Sequence, residues 1–272
     1  NLFSLKELGN IYTRIMNPTT AVLEERITQL EGGLTSVAVS SGQAASALAI
    51  QNLCQAGDNI VSSTDLYGGT WNQFENTFKK LGIEVRFADP KDPISFVKLS
   101  DNKTRAFYGE TLPNPKLNVL PIEEIASLGK ELGIPLIIDN TAAPITCKPI
   151  EHGAAIVIHS LTKWIGGHGT SIGGIIVDGG NFDWTKIPER HPNFNQPEPS
   201  YWNWVLGKVV PDVLGANITF AVRLRFVLLR DLGSALSPTN AFNFIQGLET
   251  LPIRFKKHQE NAEKVADYLT GK

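Results

Sequence analysis

Short apolar runs rich in β-branched residues alternate along this chain with longer segments of helical period. The runs that we expect to be strands are 36–39, 59–63, 84–88, 104–110, 135–141, 154–158 and 173–177. Most of the intervening segments have the length, roughly 10 to 15 residues, of a helix that crosses between parallel strands. The pattern therefore predicts an α/β fold, with a mostly parallel sheet and helices on both of its faces.

Local signals mark where the helices begin and end. Asn17 supplies an N-cap before Pro18, and the pair Gly32-Gly33 ends that segment. Further helices are predicted over 44–54, 71–81, 121–133, 215–232 and 261–269. The stretch 181–200 is rich in proline and asparagine and is predicted to be a long loop.

Composition excludes several classes of partner. The 272 residues include 25 basic and 27 acidic side chains, a net charge of −2, so no electrostatic case exists for nucleic acid or an anionic membrane surface. No apolar run approaches the roughly 18 residues of a spanning helix, and residues 1–10 do not have the pattern of a signal peptide. Two cysteines suit a reducing compartment, so we expect a cytoplasmic protein. Because the first residue is not Met, we expect the sequence to be incomplete at that end.

Two ionisable side chains lie where neighbouring predicted strands end. Asp139 falls near the end of the run 135–141, and Lys163 follows the run 154–158. Ligands of open α/β sheets lie outside the carboxyl ends of the strands, so both side chains are expected to face one crevice. A carboxylate and an amine placed in this way suit pyridoxal phosphate: the lysine binds the cofactor's aldehyde, and the aspartate keeps the pyridinium nitrogen protonated. A structural Asp–Lys ion pair is the alternative.

Groups suited to an anion flank these strand ends. Ser160 and Thr162 alternate on one side of the turn before Lys163, where their hydroxyls can face a phosphate. The turn 40–43 joins a strand to a helix, and the free N–H groups of a helix N-terminus attract anions, although many such turns bind nothing. His152, His159 and His168 fit no usual zinc spacing, so we expect no metal.

Motifs spread over the whole chain resemble the Cys/Met-metabolism family of pyridoxal-phosphate enzymes. They are Tyr12-x-Arg14, Asp139-Asn140-Thr141 and Ser160-x-Thr162-Lys163. Within that family, TKWIGGHGTSIGG at 162–174, followed by GNFDW at 180–184, is most similar to the O-acetylhomoserine sulfhydrylases. The resemblance implies the large domain of a fold type I transferase over 18–235. It also implies an N-terminal arm over 1–17 and the beginning of a smaller C-terminal domain over 236–272, whose remainder is absent.

The resemblance also implies a role for each site residue. Lys163 binds the cofactor and moves protons, Asp139 pairs with the ring nitrogen, and Tyr67 stacks on the ring and assists catalysis. Asn114 bonds the phenolic oxygen, although Pro113 stands where the family usually has glycine. The phosphate is held by Ser160, Thr162, the backbone N–H groups of Gly42 and Gln43, and Tyr12 and Arg14 of a neighbouring copy. The chain is therefore expected to form a homo-oligomer with shared sites, a tetramer.

The implied reaction is a γ-replacement. It converts O-acetyl-L-homoserine and sulfide, or a thiol, to L-homocysteine, or methionine, and acetate. Three alternatives within the family remain open: a methionine γ-lyase, a cystathionine γ-synthase and an O-succinylhomoserine sulfhydrylase. A non-catalytic α/β scaffold subunit is the alternative from another class.

Overall fold

The computed structural model of the chain describes residues 9–271, and the main sheet within that range has seven strands. The strands are β1 Thr35–Val39, β2 Asn59–Ser63, β3 Glu84–Ala88, β4 Thr104–Glu110, β5 Leu136–Asp139, β6 Ile156–Ser160 and β7 Gly174–Asp178. Their order across the sheet is β1-β7-β6-β5-β4-β2-β3. All pairings are parallel except those of β7, which runs antiparallel to both of its neighbours. The predicted mostly parallel sheet is confirmed.

Helices cover both faces of this sheet. They are α1 Pro18–Glu31, α2 Gly42–Leu53, α3 Gly68–Asn72, α4 Pro93–Lys98, α5 Ile122–Leu132, α6 Pro192–Asn195, α7 Leu206–Leu214, α8 Thr219–Arg223, α9 Arg230–Leu232 and α10 Pro238–Thr270. One buried core joins α1, α5 and α10 to the sheet, and the other joins α2 and α8 to its opposite face. Two short strands, β8 Pro197–Glu198 and β9 Trp204–Val205, pair outside the main sheet.

Several predicted bounds are exact, and others are wrong. The bounds of β2, β3 and β4 agree with the predicted runs to the residue. The helices α4 and α7 were not predicted, because α4 is short and α7 contains Pro211, which breaks a helical pattern. The helix predicted over 261–269 is only the last part of α10, which begins at Pro238.

The stretch 181–200 is predicted to be a long loop. In the structure it contains α6 and β8, and aromatic packing anchors it. Trp184 and Phe194 are almost completely buried, and their rings contact each other with centroids 4.9 Å apart. Trp184 also stacks on Phe220 of α8 at 5.5 Å. These aromatic contacts bury large apolar areas, and such burial is what fixes a segment so poor in regular structure.

The long helix α10 belongs to the core only over its first part. Phe244, Leu248 and Leu251 are buried in the same core as α1 and α5. After Pro252 most side chains are exposed. The division of the chain into an arm, a large domain and the beginning of a second domain stays a prediction, and residues 1–8 of the arm lie outside the described residues.

A buried carboxylate–imidazole pair fixes the ends of the central strands. Glu31, the last residue of α1, is completely buried, and its Oε1 lies 2.6 Å from Nε2 of His159 in β6. The same oxygen accepts a hydrogen bond of 3.1 Å from the side-chain amide of Asn140, which directly follows β5. Asn140 in turn accepts a 2.8 Å bond from the hydroxyl of Thr111, directly after β4. Three neighbouring strand ends are thereby fixed to one helix. His159 therefore has a structural contact in the core.

No helix between residues 9 and 271 has the length and apolar character needed to cross a bilayer. In the same range, His, Cys, Asp and Glu side chains form no group that could hold a metal ion.

We expect replacement of His159 by Ala to lower the free energy of unfolding by about 3 kcal/mol, because it leaves the completely buried Glu31 carboxylate without its imidazole partner. Urea unfolding followed by circular dichroism measures the change. His168→Ala is the matched control, since that histidine is exposed and should change stability by less than about 0.5 kcal/mol. Equal losses in the two variants would contradict a role for the pair.

Asp178, the last residue of β7, should make stability depend on pH. Its carboxylate is buried and accepts hydrogen bonds from the N–H groups of Gly180 and Ala221, and burial raises its pKa to about 7. The pKa of Asp178 is higher in the folded state than in the unfolded state. The contribution of Asp178 to the free energy of unfolding is therefore complete below about pH 4 and is lost as the pH rises to about 7.

In Asp178→Asn the free energy of unfolding should therefore fall less between pH 5 and pH 7 than in the parent protein. Urea unfolding at pH 5, 6 and 7 checks this slope. Asp183→Asn is the control: the pKa of Asp183 is lowered by its bonds to Thr185, so this residue titrates below the window. An unchanged slope in Asp178→Asn would show that the residue is ionised throughout.

Candidate active site

The parallel register of the central strands brings two carboxylates side by side. Glu110, at the end of β4, pairs in register with Asp139, at the end of β5. Asp139 pairs in turn with Ile158 of β6, so that Ser160 lies just beyond it at the same edge. This is the carboxyl edge of the parallel strands, where ligands of open α/β sheets bind.

A short chain of hydrogen bonds joins Asp139 to Ser160. The Oδ1 atom of Asp139 accepts from the backbone N–H of Thr141 at 2.9 Å and from its hydroxyl at 2.5 Å. The hydroxyl of Thr141 accepts in turn from the backbone N–H of Ser160, at 2.7 Å. One oxygen of Asp139 is thus held in place by its own turn.

The electrostatics of the pair favour a cation. Burial raises the pKa of Asp139, against the opposing effect of its bonds to Thr141 and of the nearby His159. Burial and the charge of Asp139 raise the pKa of Glu110 to about 8, although the N–H groups of Tyr67 and Asn114 act in the other direction. Two buried acids that resist ionising together are stabilised by a positive charge placed beside them.

An anion corner lies next to this pair, where α2 begins. Ser41 caps the helix by accepting a 3.0 Å bond from the N–H of Ala44. A Cβ atom at Gly42 would lie 2.6 Å from Cβ of Ser160, so only glycine lets the helix terminus approach β6 this closely. The first N–H groups of α2 and the hydroxyl of Ser160 therefore meet in one place, and they suit a phosphate.

Lys163 is carried on a loop whose two ends are bonded to each other. The N–H of Leu161 donates to the carbonyl of Gly173 at 3.0 Å, and the N–H of Gly173 donates to the hydroxyl of Thr162 at 3.2 Å. The hydroxyl of Thr162 donates in turn to the carbonyl of Gly173, at 3.4 Å. The side chain of Lys163 itself is exposed.

Tyr67 and Gln43 meet on one side of the site. Tyr67 is 48 % exposed, and its backbone N–H donates to Oε1 of Glu110 at 2.7 Å. A Cβ at Gly69 would lie 2.5 Å from Cε1 of the Tyr67 ring and 2.7 Å from Nε2 of Gln43. The Oε1 atom of Gln43 is buried, with no hydrogen-bond partner among the described residues. A buried acceptor without a donor commonly marks a place for a ligand or water.

The remaining predicted residues lie farther out. Asn114 is exposed, in the turn after β4, and its backbone N–H bonds to Glu110. Arg14 donates to the backbone carbonyl of Arg230 in α9 and lies 5.1 Å from the centre of the Tyr12 ring. Within one chain, the structure therefore brings Gly42, Gln43, Tyr67, Asp139, Ser160 and Thr162 to one edge and places Arg14 against α9, with the Tyr12 ring beside Arg14.

The sequence analysis gave no role to Glu110. The signal was available, since Glu110 ends its predicted strand just as Asp139 ends the next one. What the sequence did not show is the register that places the two carboxylates together. It also gave no role to Glu31, whose partner His159 is 128 residues away.

The residues present fit pyridoxal phosphate. The anion corner suits its phosphate, the buried acid pair suits a protonated ring nitrogen, and a lysine lies on the adjoining loop. The narrow approach at Gly42 and the unpartnered Gln43 oxygen belong to the same edge.

Curated relatives match almost the whole chain. The O-acetyl-L-homoserine sulfhydrylase of Leptospira meyeri is 54 % identical over 98 % of this chain and 61 % of its own length. The homocysteine/cysteine synthase of Saccharomyces cerevisiae is 51 % identical over 98 % of this chain and 60 % of its own length. The chain thus spans about three fifths of the length of these relatives.

A solved structure agrees with the fold. The structure described as an O-acetylhomoserine (thiol)-lyase of Campylobacter jejuni superposes with a TM-score of 0.93 at 41 % identity. The match covers 99 % of this chain and 65 % of that one, which carries an N'-pyridoxyl-lysine-5'-monophosphate.

The family assignment rests on a match along the whole sequence. Residues 1–272 match the family of Cys/Met metabolism PLP-dependent enzymes, and the relatives and the solved structure above agree with that match. The chain therefore belongs to the Cys/Met metabolism family of pyridoxal-phosphate-dependent enzymes.

Proposed function

We propose that the protein containing this chain is a pyridoxal-phosphate-dependent transferase that catalyses γ-replacement. It converts O-acetyl-L-homoserine and sulfide, or a thiol, to L-homocysteine, or methionine, and acetate. The observation that carries the proposal is the meeting of Asp139, Ser160 and Gly42 at one edge of the sheet beside the Lys163 loop. The printed names of relatives 48–54 % identical to the chain support the choice of substrate.

Lys163 is proposed as the cofactor-binding and proton-transferring residue. When bound, pyridoxal phosphate supplies an electron sink that stabilises negative charge on substrate carbon atoms. Lys163, whose side chain is exposed, would bind the cofactor and then move the proton at the substrate α-carbon. Tyr67 lies at the same edge and is proposed to assist proton transfer.

The ring would be oriented from three sides. Asp139, held by Thr141, would pair with the ring nitrogen and keep its proton. Tyr67 would stack on the ring face, and Asn114 would bond the phenolic oxygen. Asp139 is placed by the end of β5, which gives it a rigid base, whereas Tyr67 lies on the loop between β2 and α3.

The phosphate would be held by neutral and charged groups from two chains. Ser160, Thr162 and the backbone N–H groups of Gly42 and Gln43 would supply the bonds from one copy. Tyr12 and Arg14 would come from a second copy. Arg14, which bonds to α9 within its own chain, suits this role because the planar guanidinium of arginine binds phosphate oxygens in pairs. We therefore propose a homo-oligomer with shared sites, a tetramer, in the cytoplasm.

The first experiment is a visible absorption spectrum of the full-length protein with added pyridoxal phosphate, before and after borohydride reduction. We expect a yellow band and, after peptide mapping, a pyridoxyl group on Lys163. A label on another lysine, or no band from folded protein, would contradict the proposal and favour a scaffold subunit.

Product analysis then separates the related reactions. Incubation with O-acetyl-L-homoserine and sulfide should give homocysteine and acetate, and the O-succinyl ester should react more slowly. Release of a 2-oxo acid and ammonia in place of homocysteine would identify a γ-lyase. Formation of cystathionine with cysteine as the faster acceptor would identify a cystathionine-forming transferase.

Gly42→Ala should weaken cofactor binding through the phosphate alone. Its Cβ would lie 2.6 Å from Ser160, so the end of α2 must move away from β6. We expect affinity for pyridoxal phosphate to fall on the order of 10- to 100-fold, the effect of losing one or two bonds to a charged group. Equilibrium dialysis measures it. Pyridoxal without phosphate is the control ligand, and equal losses for both ligands would contradict a phosphate site at Gly42.

A further inference from the structure

One buried carboxylate holds two loops of the site. Glu110 accepts the backbone N–H of Tyr67, at 2.7 Å, and also the backbone N–H of Asn114. Tyr67 follows β2 and Asn114 follows β4, so this side chain joins the two loops that carry the proposed ring-stacking residue and the proposed donor to the phenolic oxygen. Asp65 joins the same two loops at another point, by accepting bonds from Lys116 and Asn118.

The Glu110 carboxylate also lies beside a second acid, Asp139, its register neighbour on β5. Two further ionisable groups lie near the pair. The pKa of Tyr108 on β4 is affected by the charges of both acids, and His159 on β6 affects the pKa of Asp139. Tyr108 is buried, and its pKa is raised well above the ordinary value, mainly by burial, so its hydroxyl stays protonated and neutral. The pair therefore holds a proton more readily than an isolated carboxylate does, and Glu110 has a pKa of about 8.

A cation placed on Asp139 changes this balance. It offsets the negative charge next to Glu110 and favours the ionised form of that side chain. An ionised carboxylate accepts N–H bonds about twice as strongly as a neutral one, so the bonds to Tyr67 and Asn114 strengthen at the same time. The proton moves from the Glu110 carboxyl to solvent, and no other bond forms or breaks.

We infer that Glu110 is a positioning residue that gives up a proton when the cofactor ring binds and thereby tightens the loops of Tyr67 and Asn114 around that ring. The inference rests on the proposed pairing of Asp139 with the ring nitrogen. It differs from a purely structural role for Glu110, which would strengthen binding by the same factor at every pH.

The test compares cofactor affinity in wild type and Glu110→Gln from pH 6 to pH 9. The amide of glutamine keeps an acceptor for Tyr67 but has no proton to release. Because binding in wild type releases a proton, the ratio of wild-type to variant affinity should rise with pH, by up to about tenfold per unit below pH 8, and level off above it. Equilibrium dialysis of pyridoxal phosphate against the full-length protein gives the ratio, in which the titration of the ligand itself cancels.

Asp178→Asn is the matched control. Asp178 is also a buried carboxylate with two backbone N–H partners and a raised pKa, but it lies at the opposite edge of the sheet, where it pairs with the first residue of β6. The ratio of wild-type affinity for pyridoxal phosphate to that of Asp178→Asn should not change with pH. Calorimetry in two buffers of different ionisation enthalpy should count fewer protons released by Glu110→Gln than by either wild type or Asp178→Asn.

The outcomes separate this inference from the proposed function. A wild-type protein that binds no cofactor at Lys163 defeats the proposed function. Binding by both proteins with a constant affinity ratio and equal proton counts defeats the inference alone. If circular dichroism shows Glu110→Gln to be unfolded, Glu110→Asp replaces it: the shorter carboxylate should shift the pH dependence by at least about half a unit, and a curve identical to wild type overturns the inference.

Discussion

The parallel register of β4, β5 and β6 is the constraint on which the site depends. It places Glu110 beside Asp139 and brings Ser160 to the same edge. Hydrogen bonds through Thr141 join Asp139 to Ser160. Two neighbouring carboxylates, of which Glu110 is buried and Asp139 half-buried, are unfavourable in an otherwise apolar sheet. They lie at the edge where a cation is expected to bind.

The lower layer of the site is a second polar network that has its own partners. Glu31, His159, Asn140 and Thr111 bond to one another below the strand ends, so the backbone at Asp139 and Ser160 is supported from a buried side. The two networks differ in kind. The lower one joins side chains from α1 to the central strands, whereas the upper one consists of acids, hydroxyls and N–H groups that remain available to a ligand.

The sequence predicted where the strands lie along the chain better than it predicted which residues contact one another in the fold. Strands β2, β3 and β4 were bounded correctly, because alternating apolar and turn residues encode strand limits locally. Lys163 and Asp139 could be singled out by position at strand ends, and the roles of Tyr67, Gly42, Gln43 and Asn114 came from family resemblance. Glu110 and Glu31 could not be placed, since their importance arises from register and from a contact across 128 residues. The α4 and α7 helices were missed because short length and an internal proline weaken the helical signal.

The single antiparallel strand, β7, has a consequence for how the lysine loop can evolve. Because β7 returns directly alongside β6, the loop leaves and re-enters the sheet at adjacent positions, closed by the bonds between Leu161, Thr162 and Gly173. Lys163 lies next to the closed base, and Ile165 beyond it is buried in the core shared with α10. The exposed part of the loop is limited to a few residues, which include 168–170. Substitutions at those three positions leave the base unchanged, and with it the place of the amine.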